Sequence, residues 1–205
     1  ERSLRAFESA PEGAMLFGIA QGGDVPELRR ISARSMVETG FHGYAVGGLA
    51  VGEPQAVMLA MIEEAVPLLP SDRPRYLMGV GTPADLVGAV LRGVDMFDCV
   101  MPTRAGRTAR AFVPDGTLNL RNAVHADDPG VVEPGCPCPA CTRHSRAYLH
   151  HLFKAGEMLG PMLLTWHNLT HYQRLMAGLR AAIVHGRVRE HAAMVLARLV
   201  PKEAA

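Results

Sequence analysis

The sequence predicts an α/β fold built on a parallel sheet. Three observations carry this: short β-type runs alternate with amphipathic helical segments, the runs end in glycine-containing turns, and the helices carry start and stop signals. An opening helical segment spans Arg2 to Ala10. The first β-type run, Met15 to Ala20, ends in Gln21-Gly22-Gly23. Asp24 and Pro26 open the next helix, Leu28, Ile31 and Met36 supply its apolar face, and Gly40 follows its end. The second run, Gly43 to Val46, leads into Gly47-Gly48, and Pro54 opens a helix that continues to about Leu69. The third run, Arg75 to Met78, ends at Gly79. Thr82-Pro83-Ala84-Asp85 combines a cap, a first-turn proline and an acid at N3, and Gly93 closes that helix. The fourth run covers Asp95 to Val100.

Four parallel strands are half of an eight-stranded barrel, which takes about 250 residues when whole. The opening helix reads as one that follows an earlier strand. Residues 1–101 are therefore expected to form the last four strands, the C-terminal half, of a (β/α)8 TIM barrel. A half barrel leaves two strand edges unpaired, so the chain is expected to fold poorly alone.

From Pro102 the character changes. Residues 102–168 are expected to hold an arginine-bearing loop, a hairpin from Arg110 to Leu120 around Pro114-Asp115-Gly116, and a proline-rich loop that carries cysteines. Helical stretches are expected at 142–159, 168–185 and 188–198, with 169–205 forming C-terminal helices packed on the barrel.

Composition narrows the class. Apolar residues at 48% and charged residues at 20% exclude a disordered chain. No apolar run reaches the ~18 residues that cross a bilayer, so no membrane association is expected. A net charge of +1 makes no bulk case for nucleic acid. The basic residues are 19 Arg and only 2 Lys, which matters where they cluster. They do so at Arg104, Arg107 and Arg110, whose planar forks suit phosphate or base-edge contacts.

Cys136-Pro137-Cys138-Pro139-Ala140-Cys141 is a C-x-C-x-x-C cluster. Three thiols this close read as metal ligation in a reducing compartment, and a cytoplasmic location is expected. Zn2+ takes four tetrahedral S or N donors, so the fourth must be a histidine. His144, His150, His151, His167 and His171 are all in position for it, and spacing does not choose among them. A closed set of this kind leaves no open coordination position, so the site would be structural, with one zinc per chain.

In α/β barrels the reacting groups sit at the C-terminal ends of strands. This sequence places Gln21, Gly47-Gly48-Leu49, Met78-Gly79 and Asp98-Cys99 there. A glutamine amide offers both a donor and an acceptor to a nucleobase edge. Met78 could lie on a ring face, and Asp98 could be a nucleophile or a base. Taken singly, the glycines read as a tight turn, Met78 as core and Asp98 as a cap or ion-pair partner. Their convergence at four strand ends favours a site.

With these residues assembled, the chain resembles the C-terminal half of a bacterial tRNA-guanine transglycosylase. The matching stretches are FGIAQGG (17–23), GYAVGGLAVGE (43–53), RYLMGVGTPADLVGAVLRGVDMFDCVMPTRAGR (75–107), CPCPAC (136–141), SRAYLHHLFKAGEMLG (145–160) and WHN (166–168). The resemblance implies exchange of guanine at the wobble position of GUN tRNAs for 7-aminomethyl-7-deazaguanine, through a covalent bond from Asp98 to the ribose. It implies that Gln21 and Gly48 read the base edge, that the Leu49 carbonyl accepts the aminomethyl group with Glu53 behind it, and that Met78 packs on the base. Val51 favours the bacterial base over the bulkier queuine. Arg104 and Arg107 match tRNA-binding residues on the catalytic loop, and Cys136, Cys138, Cys141 and His167 match the zinc ligands. Family members are commonly homodimers. The remaining acids of the family's site lie in its N-terminal half, so little exchange is expected from this chain alone. A non-catalytic partner subunit, a zinc-dependent RNA-binding module, and an archaeal-type enzyme acting elsewhere on tRNA are the competing readings.

Overall fold

Where apolar runs meet glycine turns, the chain forms short parallel strands joined by helices. The computed structural model describes residues 2–199. Residues 1 and 200–205, parts of the expected first and third segments, lie outside the described residues. The chain divides after Cys99 into two units.

The first unit begins with α1 (Arg2–Phe7) and continues through β1 (Phe17–Ala20), α2 (Pro26–Thr39), β2 (Gly43–Val46), α3 (Gln55–Ala65), β3 (Arg75–Leu77), α4 (Pro83–Val90) and β4 (Met96–Phe97). Its four strands are all parallel, in the order β1-β2-β3-β4. Each connection passes through a helix, as parallel pairing demands. Every residue of β2 is buried, as befits a strand paired on both sides and covered on both faces. Ala20, Val46, Ile62, Leu77 and Val80 lie in the core between sheet and helices. The start of α4 is a capping box. Thr82 Oγ1 accepts from the Asp85 N–H at 3.2 Å, and Asp85 Oδ2 accepts from the Thr82 N–H at 3.2 Å.

The fourth strand is shorter than expected, two residues instead of six. Its chain leaves the ladder at Asp98, whose side chain turns to bond β3, and Pro102 then starts a helix. The stretch Met101–Arg107, expected as a loop, is that helix, α5. The three-residue arginine spacing is a helical period as well as a phosphate-contact pattern.

The second unit adds an antiparallel hairpin of β5 (Arg110–Val113) and β6 (Gly116–Asn119), where the sequence placed one. The helices α6 (Pro139–Arg143), α7 (Arg146–Ala155), α8 (Leu159–Val184) and α9 (Val188–Leu199) follow. The helix expected over 142–159 is split, because Ser145 caps α7 through its Oγ to the Tyr148 N–H at 3.1 Å. Gly156, left-handed at φ +75°, then ends α7. α8 starts nine residues earlier than expected and runs for 26 residues, straight through 168/169. Pro161 is no obstacle, since first-turn N–H groups have no partner within the helix. Ala111, Leu120, Leu149, Leu164 and the three clustered cysteines form this unit's core. Among the described residues, no helix is long and apolar enough to cross a membrane.

Candidate active site and metal centre

Parallel pairing aligns the C-terminal ends of neighbouring strands, and the hydrogen bonds just beyond them show it. Gly47 N donates to Ala20 O at 3.0 Å, and Met78 N to Val46 O at 3.1 Å. Asp98, exposed beyond β4, accepts at Oδ1 from the Tyr76 hydroxyl at 2.6 Å and from Gly79 N at 2.8 Å. The Tyr76 hydroxyl first, and the Gly79 N–H second, hold the Asp98 carboxyl below the usual carboxylate range. The same bond, with burial, pushes the Tyr76 hydroxyl up. An exposed, ionised carboxylate at the edge shared by the strands can serve as a nucleophile. Met78, the residue before Gly79, is half-buried.

The turn after β2 is tightly specified. Gly48 has φ +64°, and a Cβ there would lie 2.6 Å from Gln21 Oε1, so the Gln21 amide sits against this backbone. Leu49 is buried, and Ala50 is held at φ +58°, a strained value for a residue with a Cβ. Glu53 turns back to accept from the Ala50 N–H at 2.5 Å and the Val51 N–H at 3.0 Å. Burial pushes Glu53 up, but the surrounding backbone N–H groups outweigh it and the carboxyl is lowered. Val51 is 83% exposed. Gln21, Gly48, Leu49 and Glu53 are thus brought together. Arg104 and Arg107 are exposed, three residues apart on α5.

Two residues were missed in the sequence. Tyr76 stands two before Met78, a strand spacing that could have drawn attention to it. Arg29 is fully buried and donates to carbonyls at the ends of β1 and β2. No single-sequence signal separates it from its neighbour Arg30, which pairs with Glu27 and Glu64 instead.

In the second unit, the donor atoms of Cys136, Cys138, Cys141 and His167 lie within 4.8 Å of one another, all buried. His167 Nδ1 stands 3.7, 3.6 and 3.3 Å from the three sulfurs in turn. A tetrahedron with metal–sulfur and metal–nitrogen distances of 2.0–2.3 Å has edges of about 3.5 Å, so the set fits a structural zinc ion. His167 Nε2 lies 2.8 Å from the Phe112 carbonyl, which holds the proton there and leaves the Nδ1 lone pair for the metal. A hydrogen bond from Cys141, with help from His167, brings the Cys138 thiol down to about 4, and that same bond pushes Cys141 up. Two other histidines left open by spacing are committed elsewhere. His150 Nδ1 pairs with Leu120 O at 2.8 Å and His171 Nδ1 with Glu133 at 3.1 Å.

A parallel α/β unit with a polarised carboxylate at its strand ends, joined to a unit held by a Cys3His centre, defines a zinc-bearing α/β class. Comparison with known proteins gives the family. A family profile described as queuine tRNA-ribosyltransferase matches residues 1–200, and the chain belongs to that family. It is 68% identical over 181 residues to a queuine tRNA-ribosyltransferase of Gluconacetobacter diazotrophicus, covering 88% of this chain and 47% of the relative. A protein of the same name from Granulibacter bethesdensis is 65% identical, over 88% of this chain and 48% of its own length. Another from Novosphingobium aromaticivorans is 60% identical over 195 residues, or 94% of this chain and 52% of the relative. The chain spans about half the length of these curated relatives.

Proposed function

We propose that this chain supplies the nucleophile and one wall of the base pocket of a tRNA-guanine transglycosylase. Asp98 attacks C1′ of the wobble guanosine in a GUN anticodon. The C1′–N9 bond breaks, the C1′–Oδ bond forms, and guanine leaves as N9 takes a proton from an acid/base of the N-terminal half, to which the incoming base later returns one. The incoming 7-aminomethyl-7-deazaguanine then gives up its ring proton and displaces the aspartate, so two inversions retain the configuration. Gln21 and Gly48 read the base edge, the Leu49 carbonyl receives the aminomethyl group, Glu53 supports that peptide, and Met78 covers the ring. Val51 limits the pocket to the smaller base. Arg104 and Arg107 hold tRNA phosphates. In this reading the four-stranded sheet is half of a (β/α)8 barrel, with residues 102–168 as catalytic and zinc-binding insert and 169–205 as flanking helices. The assembly is a cytoplasmic homodimer joined through 145–157.

The observation that carries the reading is the Asp98 carboxylate, exposed at the strand ends and ionised by the Tyr76 hydroxyl and the Gly79 N–H. An RNA-binding module without chemistry leaves that arrangement idle. The test joins this chain to the N-terminal half of the Gluconacetobacter diazotrophicus relative and measures labelled guanine incorporation into tRNA. The chimera should exchange guanine, the chain alone should not, and Asp98→Asn should abolish both exchange and a covalent RNA adduct. Exchange that survives Asp98→Asn would overturn the assignment.

A further inference from the structure

Arginine is rarely buried completely unless a carboxylate pairs with it. Arg29, in the first turn of α2, has no exposed surface, and among the described residues no carboxylate lies within ion-pair distance of it. Its donors end on main-chain oxygens. Nε meets Gly23 O at 2.8 Å, Nη1 meets Gly47 O at 2.6 Å, and Nη2 meets Gly48 O at 3.0 Å, with a longer contact of 3.5 Å from Nη1 to Ala20 O. All four acceptors belong to the ends of β1 and β2 or the turns that follow them. The approach is close enough that a Cβ on Gly22 would lie 2.6 Å from the Arg29 backbone nitrogen.

Every peptide bond here is trans, so the C=O and N–H of one peptide point in opposite directions. Fixing the Gly47 carbonyl on Arg29 aims the Gly48 N–H the other way. Fixing the Gly48 carbonyl does the same for the Leu49 N–H. On the next peptide Glu53 takes the Ala50 N–H, which aims the Leu49 carbonyl away from Glu53. Three successive peptides are therefore set by two side chains of opposite charge, one inside the turn and one beyond it. A planar fork with several donors can hold two neighbouring carbonyls at once, whereas an ammonium cannot match that geometry.

The geometry points to Arg29 as the positioning residue that aims the Gly48 and Leu49 N–H groups at the incoming base. This rests on the transglycosylase reading above and adds a residue to it. Arg29 touches no reacting atom. Its effect falls on recognition of the base, not on recognition of tRNA.

The experiment uses the chimera described above, with guanine as the probe. Arg29→Lys and Arg29→Met are compared with wild type for KM of guanine, KM of tRNA, melting temperature and zinc content. Loss of charged hydrogen bonds to a recognition turn corresponds to a rise in the guanine KM on the order of 10-fold or more. The tRNA KM should stay within about twofold, and Lys should recover part of what Met loses. A folded, zinc-loaded variant whose guanine KM is unchanged overturns the inference, as does an equal rise in both KM values. If neither variant folds, Arg29 is a folding residue and the inference fails. An inactive wild-type chimera that binds no guanine defeats the functional reading itself, an outcome distinct from any variant-specific result.

Discussion

Asp98 is held ionised by a phenol and one backbone N–H, so its protonation state is open to a single substitution. Tyr76→Phe removes the donor that contributes most to lowering the Asp98 carboxyl. The sign is fixed by linkage: a bond to the charged form lowers the pKa, so its loss raises it. Activity that needs the carboxylate should then fade at a higher pH on the acid side. The pH profile of guanine exchange in the chimera checks this, and an acid limb that stays in place would show that Tyr76 does not tune Asp98. The role proposed for Val51 gives a second test at this scale. Val51→Gly should improve use of queuine relative to guanine, and competition between the two bases measures it. Asp98, Gln21 and Met78 were legible because each stands next to a glycine turn or strand end. Arg29 was not, because one arginine in a helix looks like any other until its fold neighbours are known.

At the scale of elements, neighbouring side chains on α8 hold one residue of the hairpin. Phe112 N donates to Asn168 Oδ1 at 2.9 Å, while its carbonyl faces His167 Nε2. Asn168 Nδ2 also donates to Pro102 O and Arg110 O, each at 2.9 Å. Asn168 is completely buried, so Asn168→Ala strands several polar groups away from water. At 1–3 kcal/mol for each group left without a partner, the loss should be about 3 kcal/mol or more, read by denaturant unfolding. Thr82→Ala, which removes only the hydroxyl half of a part-buried capping box, should cost about 1 kcal/mol. A ranking in the reverse order would mean that α8 does not organise the second unit. The capping box was readable as a local pattern of four residues. The length of α8 was not, because Gly160-Pro161 resembles a helix break and is instead absorbed in a first turn.

At the scale of the molecule, zinc and the sheet edges set stability. The metal donors come from a loop, from α6 and from the interior of α8, with the thiols 26 to 31 residues before His167, so the ion closes a long loop and organises a core. The protein should bind one zinc per chain. Chelation should lower its melting temperature and speed amide exchange in residues 109–168 more than in the parallel sheet. Uniform exchange after chelation would argue against a local structural role. β1 and β4 each pair on one side only among the described strands. Expressed alone, the chain should aggregate more readily than the chimera, which light scattering compares directly.

Sequence alone determined the alternation of strands and helices, most of the turns and caps, the three thiols and the carboxylate at a strand end. These are written in short-range spacing, which the backbone periods of two and 3.6 residues translate directly. Tertiary structure decided which groups Arg29 binds, what holds Asp98 ionised and how Asn168 joins a helix to a hairpin. It also brings His167 to the thiols, a choice that spacing left among five histidines. Each of these depends on residues far apart in the chain meeting in one packed interior, and no local period encodes that meeting.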